Sequence, residues 1–139
     1  MSRALTLMFT ILLVAGCTST STPAPTVGGV SPTPGMAATI SVADAAVLRD
    51  DGAVIIDVRE PDEWAAGHIP GAILIPLGEL PSRIGDVPPN RPIVVVCRSG
   101  NRSAQGRDIL IGAGFPAVTS LDGGMNDWAA AGLPIETGG

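Results

Sequence analysis

The chain has 139 residues, a length that suits one small domain and leaves no room for a second. Hydrophobic residues make up 45% and charged residues 15%, which excludes a disordered chain and predicts a compact core. All eight cations are arginine, and the net charge of -5 argues against a general nucleic-acid-binding protein. One histidine and two cysteines are too few for a structural zinc site. We therefore expect neither a metal ion nor another cofactor.

The N-terminus has a weakly basic start at Arg3, followed by an apolar run from Ala4 to Ala15. About a dozen apolar residues are too few to span a bilayer core of ~30 Å, but they suit a secretory signal. The segment ends in Leu13-Val14-Ala15-Gly16-Cys17, which resembles the lipobox of bacterial lipoproteins. The resemblance implies a signal peptide over residues 1–16, lipidation of Cys17, and an extracytoplasmic protein anchored to a bacterial membrane. The alternative is an ordinary signal peptide in which Cys17 is incidental.

Residues 17–39 are rich in Ser, Thr, Pro, Gly and Ala and carry no charge. Such a composition does not bury enough apolar surface to offset its ordering entropy, so this segment is predicted to be a tether. If lipid occupies Cys17, Cys97 is the one remaining thiol and no intramolecular disulfide can form. A lone thiol in an exported protein suggests chemistry that needs it. The alternative is a buried, inert cysteine that acts as a small hydrophobic residue.

Residues 40–139 are predicted to form the domain, because apolar β-branched runs alternate there with helix-like stretches. The predicted strands are 53–56, 72–75, 93–96 and 117–121. The predicted helices are 42–49, 61–66, 77–84, 102–112 and 126–131. This alternation predicts an α/β fold with a mostly parallel sheet and helices on both faces. Ligand sites in such folds lie beyond the carboxyl ends of the strands.

Cys97 follows one predicted strand and precedes a short loop that contains Gly100. A sulfur placed over loop N–H groups and the start of a helix near Arg102 would be stabilised as an anion. The thiol pKa should therefore fall and leave a nucleophilic thiolate, which makes Cys97 the predicted catalytic residue. The adjoining residues are predicted to bind an oxyanion such as a sulfonate, sulfate or phosphate group. They are Arg98, Ser99, Gly100, Asn101 and Arg102.

Three segments of the chain form a recognisable set of motifs. They are the loop Cys97-Arg98-Ser99-Gly100-Asn101-Arg102-Ser103, the run from Ile56 to Trp64 and on through Gly67-His68-Ile69-Pro70-Gly71-Ala72, and Gly123-Gly124-Met125-Asn126-Asp127-Trp128. In this order and spacing they resemble the active-site loop and the two signatures of the single-domain rhodanese sulfurtransferase family. The resemblance covers nearly the whole chain after the tether. It implies a five-stranded parallel sheet and a Cys97 persulfide, formed from a donor such as thiosulfate and discharged to cyanide or a cellular thiol.

Five further side chains have predicted roles. Asp57, with Arg59 two residues on, is predicted to orient the loop by neutralising one of its arginines. His68 lies in a turn-rich segment, so a structural hydrogen bond is favoured over a general base. Trp64 and Trp128 are predicted to pack in the core.

Two other functions remain open at this stage. The first is a sulfur carrier or binding module without turnover, which the sequence does not distinguish from an enzyme. The second is a phosphatase or arsenate reductase, which is disfavoured because such enzymes place five residues between the nucleophilic cysteine and the anion-binding arginine, and only four separate Cys97 from Arg102. The expected partners are a small-molecule sulfur donor, a thiol acceptor and a membrane reached through the lipid anchor. We expect a monomer that binds no nucleic acid.

Overall fold

The computed structural model of the protein describes residues 35–139. The predicted signal peptide, Cys17 and most of the predicted tether lie outside the described residues. The strands are β1 (Thr39–Ile40), β2 (Val54–Asp57), β3 (Ile73–Leu74), β4 (Ile93–Val96) and β5 (Val118–Leu121). The helices are α1 (Val42–Asp50), α2 (Pro61–Ala66), α3 (Asn101–Gly112) and α4 (Gly124–Ala130). None of these helices is long and apolar enough to cross a membrane.

The five strands form one parallel sheet in the order β1-β5-β4-β2-β3. Every residue of β2, β4 and β5 is buried, as expected for strands that are covered on both faces. The predicted α/β fold with a five-stranded parallel sheet is confirmed.

Alternate residues of β4 supply two hydrophobic layers, one on each face of the sheet. Val95 points into the layer that Leu110 of α3 covers. Val94 points into the opposite layer, which Ala45 of α1 and Trp128 of α4 cover. Trp128 is fully buried, as predicted for a core residue, and its indole N–H donates to a backbone carbonyl. Helices therefore cover both faces of the sheet.

The predicted helix over residues 77–84 is wrong. Only two 3₁₀ turns form there, at Leu80–Ser82 and Ile84–Asp86. The segment contains Gly78, Pro81 and Gly85. Glycine and proline this close together prevent an uninterrupted α-helix.

Smaller differences occur at the ends of other elements. β1 begins at Thr39, the last residue of the predicted tether, and its two residues are too short to give a period in the sequence. Helices α3 and α4 begin slightly earlier than predicted, at Asn101 and Gly124, because glycines with left-handed φ start both.

The sheet register brings the ends of β2 and β4 together. Asp57 lies opposite Val96, so Arg59 and Cys97 leave the sheet at the same edge. The start of α4 closes over this edge, where the Met125 N–H donates to the Cys97 carbonyl at 2.8 Å. Gly124 allows α4 to lie this close to the Cys97 loop, because a Cβ there would collide with the carbonyl of Cys97 and the backbone of Arg98. Its φ of +57° also suits glycine.

We predict that Gly124→Ala lowers the free energy of unfolding by about 2 to 3 kcal/mol, since it adds both backbone strain and a clash. Urea denaturation would measure the change. Gly112→Ala is the matched control, because a Cβ there meets nothing within 4 Å, and it should alter stability by less than about 1 kcal/mol. A Gly124→Ala protein as stable as the wild type would show that the approach of α4 to the loop is not tight.

Candidate active site

Cys97 lies directly after β4 and is 1% exposed. The chain then turns through Gly100, whose φ of +102° is left-handed, and enters α3 at Asn101. This turn directs the Gly100 N–H at the sulfur, with 3.1 Å between nitrogen and Sγ. A twelve-residue helix thus begins beside the thiol, as its position in the sequence predicts.

Two buried hydroxyls complete the surroundings of the sulfur. The Oγ of Ser103, on the first turn of α3, lies 3.6 Å from Cys97 Sγ and donates to the Gly100 carbonyl at 2.8 Å. The Ser120 hydroxyl, from β5, donates to Ser103 Oγ at 2.8 Å. Both serines are at most 1% exposed.

Burial and hydrogen bonding act on the Cys97 thiol in opposite directions. Burial raises its pKa, because it disfavours the thiolate. The Ser103 side chain and the backbone N–H groups of Ser103, Ser99 and Gly100 favour the thiolate and together outweigh burial. The net effect is a lowered pKa, so a larger fraction of Cys97 is nucleophilic at neutral pH than for an ordinary cysteine.

Arg102 forms a bidentate ion pair with Glu63, with nitrogen-to-oxygen distances of 2.7 and 2.8 Å. Arg102 lies on the first turn of α3, and Glu63 lies on the first turn of α2. The hydrogen bonds from Arg102 hold the pKa of Glu63 at about 2, and those to Glu63 raise the pKa of Arg102. Both terminal nitrogens of Arg102, which was predicted to bind substrate, therefore face a carboxylate in this structure.

Of the other predicted binding residues, Gly100 directs its N–H at the sulfur, whereas the Arg98, Ser99 and Asn101 side chains are exposed. Arg98 makes no ion pair with any residue between 35 and 139, and its backbone carbonyl accepts from the Asn126 N–H at 3.1 Å. The guanidinium of Arg98 is thus available to an anion, while its backbone is held by α4.

The prediction that Asp57 neutralises an arginine of the loop is wrong. Its carboxylate binds the Arg59 guanidinium, with distances of 2.6 to 3.0 Å, and both side chains are buried. Arg59 lies only two residues further along the chain, and its guanidinium already pairs with the Asp57 carboxylate. Arg59 also donates to the carbonyls of Glu63 and Gly67, at 3.1 and 2.8 Å. The Asp57–Arg59 pair therefore fixes the position of α2. Its connection to the Cys97 loop runs through Glu63 of that helix.

The contacts of His68 are with Trp64 of α2 and with Glu136 near the C-terminus rather than with Cys97. Its Nδ1 lies 3.1 Å from the Trp64 carbonyl, and its ring stacks on the Trp64 indole with centroids 3.6 Å apart. Its backbone pairs with that of Glu136 in an antiparallel bridge. These contacts are structural. They leave Trp64 half-buried against His68 and outside both core layers, so the prediction that Trp64 packs in the core is wrong.

Sequence reasoning missed three residues of the site: Glu63, Ser103 and Ser120. Ser103 belongs to the loop that carries the family resemblance, and Ser120 is a polar residue within an apolar strand, so both left a weak signal. Glu63 belongs to the signature from Ile56 to Trp64, but nothing local links it to its partner Arg102, because 39 residues separate the two. No three histidine, cysteine, aspartate or glutamate side chains within residues 35–139 lie close enough together to hold a metal ion.

Comparison with known proteins agrees with this geometry. Residues 41–131 match the family model described as the rhodanese-like domain. The chain belongs to the rhodanese-like family. A thiosulfate sulfurtransferase named GlpE from Pseudomonas entomophila is 40% identical over 98 residues, which cover 70% of this chain and 89% of that protein.

Two further relatives widen the comparison. The Bacillus subtilis protein YrkF, whose name describes a candidate sulfur carrier, is 39% identical over 82 residues, or 59% of this chain and 44% of that protein. The crystal structure of a rhodanese-related protein from Thermoplasma volcanium superposes with a TM-score of 0.67 at 30% identity, over 72% of this chain and 98% of that one. The names of GlpE and YrkF describe sulfur transfer and sulfur carriage, which supports sulfur transfer as the general function of this domain.

We predict that Glu63→Gln lowers the free energy of unfolding by about 1 kcal/mol at neutral pH, because it leaves Arg102 without its carboxylate. The pKa of Glu63 is lowered by folding, so its contribution is fully present above about pH 4.5 and is lost as the pH falls through about 2. Urea denaturation from pH 7 to pH 2 should therefore show the two proteins converging at the acid end.

Glu79→Gln is the control for this comparison. Glu79 also pairs with an arginine, Arg83, but its side chain is 56% exposed, so its loss should have little effect at any pH. A stability difference for Glu63→Gln that stays constant down to pH 2 would contradict the role of the ion pair.

Proposed function

We propose that the protein is a sulfurtransferase that moves a sulfane sulfur from thiosulfate to cyanide or a thiol through a Cys97 persulfide. The observation that carries the proposal is the buried Cys97 sulfur, which accepts the Gly100 N–H at 3.1 Å beside the start of a helix. Such an environment lowers the pKa of the thiol and stabilises a sulfur anion without a metal or an organic cofactor.

The transfer takes place in two displacement steps at sulfur. The Cys97 thiolate attacks the outer sulfur of thiosulfate and forms a new S–S bond, while the old S–S bond breaks and sulfite leaves with its electron pair. A nucleophilic acceptor then attacks the outer sulfur of the persulfide, and Cys97 departs as the thiolate. The enzyme returns to its starting state, and ping-pong kinetics follow.

Arg98 is the proposed contact for the negatively charged donor. It is exposed at the loop, and no carboxylate among residues 35–139 pairs with it. Arg102 is less suited to the role, because Glu63 already occupies both of its terminal nitrogens. A guanidinium without a partner offers its full hydrogen-bonding fork to a sulfonate oxygen.

A sulfur carrier is the second candidate, and the resemblance to YrkF favours it. A carrier would take up one sulfur on Cys97 and hold it for a protein partner without turning over small acceptors. The two candidates separate when thiosulfate is supplied in excess with cyanide: an enzyme continues to release sulfite, whereas a carrier stops after one equivalent.

Phosphoryl transfer finds little support at this site. A phosphatase needs a general acid for its leaving group, and Asp57 is buried in an ion pair with Arg59. Asp122 is exposed, and its carboxylate accepts the N–H of Gly123. The four residues between Cys97 and Arg102 also make a smaller loop than phosphatases use.

We predict that Cys97→Ser lowers thiosulfate:cyanide sulfur transfer on the order of 10³-fold or more, because serine does not form a persulfide. Intact-mass analysis after thiosulfate should find one added sulfur atom on the wild-type protein and none on the variant. Near-ultraviolet circular dichroism serves as the control for folding. Turnover retained in Cys97→Ser would overturn the proposal, as would hydrolysis of p-nitrophenyl phosphate by a wild-type protein that leaves thiosulfate untouched.

We also propose that the domain is carried outside the cytoplasm on a lipid attached to Cys17. The support is the sequence Leu13-Val14-Ala15-Gly16-Cys17 and the apolar segment before it, all of which lie outside the described residues. The stretch from Thr18 onward carries no charge, and its composition predicts a tether between the anchor and the domain.

We predict that the wild-type protein partitions into the detergent phase and takes up labelled fatty acid in a bacterial host that processes lipoproteins. Cys17→Ala should do neither, because it lacks the thiol that is acylated. Cys97→Ser is the matched control, since it removes the other thiol and should leave acylation unchanged. Wild-type protein recovered from the cytoplasm with Met1 intact would contradict this localisation.

A further inference from the structure

Ser120 is a buried polar residue that the proposed chemistry does not itself require. It lies on β5, beside Val95 of β4, and is 1% exposed. Its side chain points toward the face of the sheet that α3 covers, and it donates to Ser103 Oγ at 2.8 Å. A buried hydroxyl in an apolar strand costs stability unless its hydrogen bond is made, so the bond to Ser103 is what makes Ser120 tolerable at this position.

The hydrogen bonds around Ser103 show what Ser120 does. When Cys97 is a thiol, Ser103 Oγ receives hydrogen bonds from Cys97 and Ser120 and gives its own proton to the Gly100 carbonyl. That carbonyl has a second donor, the Ala104 N–H at 3.2 Å. The Ser103 proton can therefore turn away from Gly100 without leaving the carbonyl unsatisfied.

When Cys97 becomes a thiolate, it no longer donates to Ser103 and needs donors of its own. The Ser103 O–H can then rotate toward Sγ, 3.6 Å away, and join the Gly100 N–H. Ser120 continues to donate to the same Ser103 oxygen in both states, which fixes that oxygen beside the sulfur. A donated hydrogen bond also polarises the Ser103 O–H and makes it a stronger donor.

We propose that Ser120 is a positioning residue that stabilises the Cys97 thiolate through Ser103. The inference rests on the proposed function only in taking Cys97 as the nucleophile. Ser120 does not touch the sulfur, so its whole effect on the thiol should pass through the Ser103 hydroxyl.

The experiment follows the ¹³Cβ chemical shift of Cys97 against pH in full-length protein labelled on cysteine, with the Cys17 signal identified from Cys17→Ala. Ser103→Ala should raise the pKa of Cys97 by about one pH unit, since it removes a hydrogen bond to a charged group. Ser120→Ala should raise it by about half a pH unit. Ser120→Thr, which keeps the hydroxyl, should restore most of the wild-type pKa.

Two comparisons separate this role from a general packing effect. Thr119→Val removes the neighbouring buried hydroxyl of β5, which donates to the Ala37 carbonyl, and should leave the pKa of Cys97 unchanged. In the double variant Ser103→Ala/Ser120→Ala, the pKa should equal that of Ser103→Ala alone, because Ser120 then has no route to the sulfur. The titration needs no turnover, so its outcome is independent of whether thiosulfate is the donor.

A pKa in Ser120→Ala that matches the wild type would overturn the proposal. So would a double variant whose pKa rises above that of Ser103→Ala by the full effect of Ser120→Ala, because Ser120 would then act by another route. Failure of the proposed function would give a different result. The pKa of Cys97 would change among the variants as described, but thiosulfate would add no sulfur to Cys97.

Discussion

The buried ion pair between Asp57 and Arg59 stabilises the edge of the sheet at which Cys97 lies. Asp57 ends β2, and Arg59 carries its guanidinium to the carbonyls of Glu63 and Gly67, which lie in α2 and just after it. The short helix α2 has no fully buried residue, so these hydrogen bonds contribute to its position together with the stacking of Trp64 on His68. Removal of one partner from a buried pair leaves an uncompensated charge, which costs about 3 to 5 kcal/mol.

The position of α2 in turn determines the electrostatics of the loop. Glu63 reaches from its first turn to Arg102 on α3 and neutralises the guanidinium nearest the start of that helix. The thiolate is therefore stabilised mainly by hydrogen bonds from the Ser103 hydroxyl and from backbone N–H groups of the loop. The backbone N–H groups keep their positions when the charge on sulfur forms, and only the Ser103 proton has to turn toward it, while Arg98 makes no ion pair within residues 35–139.

Much of the fold was predictable because its signals are local. The runs that became β2, β4 and β5 are β-branched and bounded by turn residues, and Cys97 stands at the end of one of them. The strand predicted over residues 72–75 pairs only as the two-residue β3, and the two-residue β1 was not predicted, because its pairing with β5 stabilises it rather than a pattern of its own. The segment after Pro76 has an apolar pattern that resembles a helix, but its glycines and proline limit it to 3₁₀ turns.

The sequence by itself determined the class of fold and the family, because periodicity follows burial and the motifs are local. It also predicted Cys97 as the nucleophile, because a cysteine that precedes a glycine turn and a helix lies where an anion is stabilised. Only the tertiary structure decided which groups act on that cysteine. The pairing of Asp57 with Arg59 rather than with the loop, the reach of Glu63 to Arg102, and the contact of Ser120 with Ser103 all depend on sheet register and helix placement. A hydrogen bond acts over about 3 Å, so its partner is chosen by the folded arrangement and not by separation along the chain.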